Sequence, residues 1–110
     1  MRSPQADVEK ILNDMRNALR QNRMSFVPRK KNMDTLALMG WQFKDVKNAM
    51  YALTYSNYVK GPEDDRKDPH GDKLWIFKTN LENQIIYIKF KILYQKDGSI
   101  KTLSFHIDGI

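Results

Sequence analysis

The chain has 110 residues, 41% of them hydrophobic and 11% aromatic, with two histidines and no cysteine. That content supports one core and a single domain over residues 1–110, and it excludes disulfides, thiolate metal sites, cysteine nucleophiles and a histidine-rich metal centre. A formal net charge of +6 and a pI near 9.6 point to an anionic partner.

No run approaches the roughly 20 apolar residues of a membrane span. The opening MRSPQADVEK has no apolar stretch of the kind found in secretory leaders. A cytoplasmic protein without a membrane partner is therefore expected. The charge is uneven: residues 23–47 carry a net +4, residues 78–101 a net +3, and residues 60–73 a net −1.

Residues 6–22 are predicted to form an amphipathic helix, because Val8, Ile11, Leu12, Met15 and Leu19 recur at helical spacing. The short apolar run at residues 24–27 stops at Pro28 and suits an edge strand. Asn32 is placed to cap a second helix carrying Met33, Leu36, Ala37 and Met39 and closed by Gly40. A third helix starts near Phe43 and carries Val46, Ala49, Met50 and Leu53. Residues 60–72 contain two prolines and two glycines and read as a loop.

The period then changes to two. Strands are expected over residues 73–78, 84–94 and 100–107, joined by turns at 81–83 and 96–99, the latter with an Asp-Gly pair. Helices followed by a strand meander predict an α+β fold, with two to three helices on one face of a small antiparallel sheet.

Strand alternation assigns the faces. Ile86, Ile88, Phe90 and Ile92 share one side of the middle strand, and Leu103, Phe105 and Ile107 one side of the last. If both rows turn inward, Tyr87, Lys89 and Lys91 lie outside beside Thr102, Ser104 and His106. Such a group suits phosphodiester cleavage, in which a 2′-hydroxyl attacks phosphorus. A base takes its proton, an acid protonates the departing 5′-oxygen, and cations offset the developing charge. Histidine performs either proton transfer near neutral pH. Lysines hold phosphate, and a tyrosine ring stacks on a base. The same rows also fit an ordinary solvated sheet face, or one that binds nucleic acid without cleaving it. Arg29 and Lys30 are placed to extend an RNA track. His70 falls in the polar loop, and the spacing of Asp64, Asp65 and Asp68 matches no calcium-binding loop. Metal and cofactor are therefore both expected to be absent.

Taken in order, several segments form a recognisable set. They are Phe26-Val27-Pro28-Arg29, Asn32, Leu53-Thr54, Tyr58-Val59-Lys60-Gly61-Pro62 and Leu74-Trp75-Ile76-Phe77, then Ile86-Tyr87-Ile88-Lys89-Phe90-Lys91 and Leu103-Ser104-Phe105-His106. From about residue 8 to 107 the chain resembles the MqsR toxin family, in the branch with a Tyr-x-x-Gly-Pro loop and a terminal Ser-Phe-His strand. The resemblance implies a RelE-like fold and a metal-independent mRNA endoribonuclease held inactive by a cognate antitoxin, with the ribosome as a further candidate partner. It implies catalytic positions at Lys60, Tyr87 and His106, the last being lysine in some members. A family glutamine is replaced here by Ile76. The alternative is a nucleic-acid- or ribosome-binding module, or a protein-interaction module, on the same fold.

Overall fold

The computed structural model describes residues 2–110 and shows an α+β fold with the helices in the N-terminal half. Helix α1 spans Gln5–Arg20 and buries Val8, Ile11, Leu12 and Met15 of the expected stripe, with Ala18 beside them and Leu19 only partly buried. Strand β1 is Met24–Phe26. Helix α2 spans Lys30–Met39 and ends at Gly40, whose φ of 70° is the left-handed conformation that glycine adopts without strain. Helix α3 spans Phe43–Tyr51, and the Asp45 carboxylate accepts a 2.8 Å hydrogen bond from the Gln42 backbone N–H at its start. Strands β2 (Tyr58–Glu63), β3 (Leu74–Leu81), β4 (Gln84–Ile92) and β5 (Ile100–Ile107) follow.

The sheet is larger than the predicted meander. It has five strands in the order β1-β5-β4-β3-β2, and it is mixed, because β1 joins β5 in parallel while the other pairs are antiparallel. Strand β2 occupies the first part of what the sequence presents as a loop. Gly61 and Pro62 hide it: Pro62 has no N–H to donate, so this strand suits an edge, and its register with β3 shifts twice. Gly61 has a φ of 138°, and a Cβ there would stand 3.0 Å from the Leu74 carbonyl oxygen. Its own carbonyl accepts hydrogen bonds from the Tyr58 hydroxyl and the Ser3 hydroxyl, both at 2.7 Å.

One sheet face carries Phe77, Ile86, Ile88, Phe90, Ile92 and Phe105 into a core completed by α1 and by Val46 and Met50 of α3. Helix α2 takes a different place. Strand β1 covers only Ile100 to Thr102 of β5. Beyond that point α2 supplies the missing partner with side chains. Asn32 Nδ2 donates to the Val27 and Leu103 carbonyls at 2.9 Å each, and its Oδ1 accepts the Phe105 N–H at 3.0 Å. Thr35 Oγ1 accepts the Ile107 N–H at 3.1 Å. The backbone of an edge strand is thus satisfied without another strand. Asn32 is therefore not the cap of α2; Arg29 holds that position, without a side-chain capping bond.

A register shift between β4 and β5 corrects one face assignment. Lys89 pairs with Ser104, but Phe90 pairs with Thr102, so Leu103 is an extra residue. Thr102 consequently turns into the core and donates to Met50 Sδ at 3.4 Å. Leu103 turns to the opposite face. Trp75 and Phe77 are core residues, whereas Leu74 and Ile76 lie on the other side of the sheet. Among the described residues no helix is long and apolar enough to cross a membrane.

Candidate nucleic-acid interface

The face opposite α1 and α3 collects the predicted site residues. Tyr87 of β4 and His106 of β5 are direct cross-strand neighbours. Their rings stack with centroids 5.4 Å apart and planes inclined by 26°. His106 Nδ1 lies 3.0 Å from the Ile107 carbonyl oxygen. A carbonyl only accepts, so Nδ1 carries the hydrogen of the neutral ring and Nε2 keeps its lone pair. Two residue pairs further along, on the same face, Lys89 stands beside Ser104.

These groups line a cleft of about 620 Å³ together with Arg29 and Lys30, which arrive from the start of α2. The bracket between Asn32 and β5 brings them there, since it fixes α2 along the sheet edge with its first turn over the polar face. Lys30 also holds Asp34 at 2.6 Å on the helix surface, which raises its ammonium pKa. Partial burial lowers the Lys89 pKa, and the positive charges of Arg29 and Lys60 add to that effect against Asp65 and Glu63. A crowded group of cations around a half-buried Lys89 favours a bound anion.

Lys60 lies in an adjoining concavity of about 770 Å³, which shares Arg29, Tyr87 and Lys89 with the cleft. It pairs with Glu63 at 3.4 Å. Ile76 is the cross-strand partner of both Lys60 and Lys89. The position where the resembled family has glutamine therefore sits between the two lysines, and here it is apolar and 2% exposed.

Lys91 has a different role from the RNA contact expected of it. It points to the polar side, as alternation requires, but its side chain is 4% exposed beneath residues 64–68. Its Nζ holds Asp65 Oδ2 at 2.9 Å and lies 3.8 Å from Asp68 Oδ2. Lys91 is a structural pin for that loop. Sequence alternation reports a side chain's direction and not what covers it. Asp65 also accepts the Lys67 N–H at 3.0 Å. The three loop aspartates are thus engaged by lysines, Asp64 by Lys73 at 2.5 Å. Among the described residues no group of three or more His, Asp or Glu is placed to hold a metal ion. His70 is exposed and borders neither concavity.

The pin has a measurable signature. The hydrogen bond from Lys91 holds the Asp65 carboxyl below the ordinary aspartate range. A depressed folded-state pKa contributes stability that is complete above the unfolded value, about 3.9, and is lost as pH falls through the folded value. Asp65→Asn should therefore lie below the parent in urea stability at pH 7, by about 2 kcal/mol because the loop can lift to hydrate the orphaned ammonium. The gap should narrow as the pH is taken down to 3. A gap that stays constant would show that the pair contributes nothing to the acid response.

The chain matches no protein-family model and no curated protein.

Proposed function

We propose that the protein is an mRNA endoribonuclease that cleaves by internal transesterification. The observation that carries this reading is the stacked Tyr87–His106 pair, with a histidine nitrogen available as a base, in one cleft with Lys89 and Arg29. In the proposed reaction His106 Nε2 takes the proton of the 2′-hydroxyl as that oxygen forms its bond to phosphorus. The bond from phosphorus to the 5′-oxygen breaks. The departing oxygen receives a proton from Lys89, whose lowered pKa suits it to give one up. Lys60 and Arg29 offset charge on the phosphoryl oxygens, and Tyr87 supports the scissile nucleotide with its ring. The products carry a 2′,3′-cyclic phosphate and a 5′-hydroxyl.

The resemblance to MqsR toxins supports the same assignment at Lys60, Tyr87 and His106, and brings with it a RelE-like fold, a cytoplasmic site of action and a cognate antitoxin that would cover this basic face. Ile76 favours a second reading, a module that binds RNA or the ribosome without cutting, because the polar group of the resembled enzymes is missing between the two lysines. Primer extension on a defined mRNA, with the purified protein in EDTA, separates the two. The enzyme reading expects discrete cuts that chelation does not abolish. Uncut RNA, both alone and with translating ribosomes, together with binding that weakens steeply with salt, would replace it by the second reading.

A further inference from the structure

The cleft around His106 continues past Lys89. The second concavity differs from it in kind. Leu74, Ile76 and Leu103 form an apolar floor, and the loop held by Lys91 forms one wall. Leu103 reaches this floor only because of the bulge in β5. Four carboxylates border the space, and each faces a lysine: Glu63 faces Lys60, Asp64 faces Lys73, and Asp65 and Asp68 face Lys91. Among the described residues, Arg29, Arg66, Lys67, Lys89 and Lys101 form no salt bridge. The uncompensated charge around the concavity is therefore positive, although the loop's sequence is acidic.

We infer that this concavity is a subsite for the nucleotide next to the scissile phosphodiester of a single-stranded RNA. The base lies against the apolar floor, and the sugar-phosphate is held by Arg66, Lys67 and Lys101. An apolar surface with a cationic rim, joined to the cleft through Arg29, Tyr87 and Lys89, matches the two halves of a nucleotide. The inference rests on the ribonuclease reading for its position beside the cut. It assigns the loop a part in substrate selection, and it explains why a lysine is buried to keep that loop in place.

The test compares a dinucleotide with trinucleotides extended at the 5′ or the 3′ side. One of the two extensions should raise kcat/KM about tenfold. In the Arg66→Ala, Lys67→Ala double variant that ratio should fall to near one. Both side chains are exposed, and the Lys91–Asp65 pin remains in the variant. The same oligonucleotides with a 2′-deoxyribose at the scissile position cannot be cleaved, and their binding by fluorescence anisotropy should show the same ratio in Kd. If neither extension improves cleavage or binding, or if the double variant keeps the gain, the subsite is refuted. If nothing is cleaved while the affinity gain and its loss in the variant persist, the subsite stands and the ribonuclease reading falls.

Discussion

Replacing His106 by alanine should lower RNA cleavage by about 10²–10⁴-fold, the range for loss of a positioned proton-transfer group. The fold should survive. His106 is only half buried, and its one side-chain hydrogen bond is to the carbonyl of the next residue. The loss of ring stacking on Tyr87 is a surface effect, so the stability change should stay within about 1 kcal/mol. Affinity for an uncleavable 2′-deoxy oligonucleotide should change far less than the rate, because Arg29, Lys60 and Lys89 remain. The measurement is single-turnover cleavage beside a urea melt. A folded variant that cuts as fast as the parent would remove His106 from the mechanism and leave Lys89 and Lys60 as the proton-transfer groups to be tested.

Asn32→Ala should be the most damaging of the substitutions considered, at about 4 kcal/mol. The side chain is fully buried and makes three hydrogen bonds, to Val27, Leu103 and Phe105. Alanine would take the Asn32 partner from the buried Leu103 carbonyl and Phe105 N–H, while the Val27 carbonyl keeps the Arg29 N–H at 2.9 Å, and each buried group left unpaired costs about 1–3 kcal/mol. Against a total stability of about 5–15 kcal/mol for a typical domain, that is a large share. The readout is the urea midpoint at unchanged slope. A loss below about 1 kcal/mol would mean that water or a shift of α2 satisfies the two buried backbone groups. Since the same bracket places Arg29 and Lys30 over the polar face, RNA affinity should fall with it even where the variant remains folded.

The positions of Tyr87 and His106 were legible in the sequence because they depend on two features only, the period of β4 and β5 and the direction of the apolar rows. The class of the fold was legible for the same reason: helical spacing in the first half and alternation in the second. What was not legible depends on contacts distant along the chain. Lys91 alternates as a surface lysine and becomes a pin only because residues 64–68 fold over it. Thr102 and Leu103 exchange faces through one extra residue, and nothing in the local pattern marks a bulge there. Strand β2 contains a glycine and a proline, which ordinarily punctuate strands. Asn32 has the right residue type and position for a helix cap, but two of its three partners lie on β5, so its real function could not be read locally.

The placement of β5 sets an order of events. It stands between β1 and β4, so the N-terminal strand has no neighbour until residues 100–107 are in place. The His106 half of the Tyr87–His106 pair, the bulge that turns Leu103 outward and the edge that Asn32 completes also wait for that strand. The cleft is therefore assembled late, by pairings between segments far apart in the chain, which are the slow contacts of folding. During synthesis this polar cleft does not exist on a chain that lacks β5. For the proposed ribonuclease this means that activity on RNA is expected only once β5 closes the sheet.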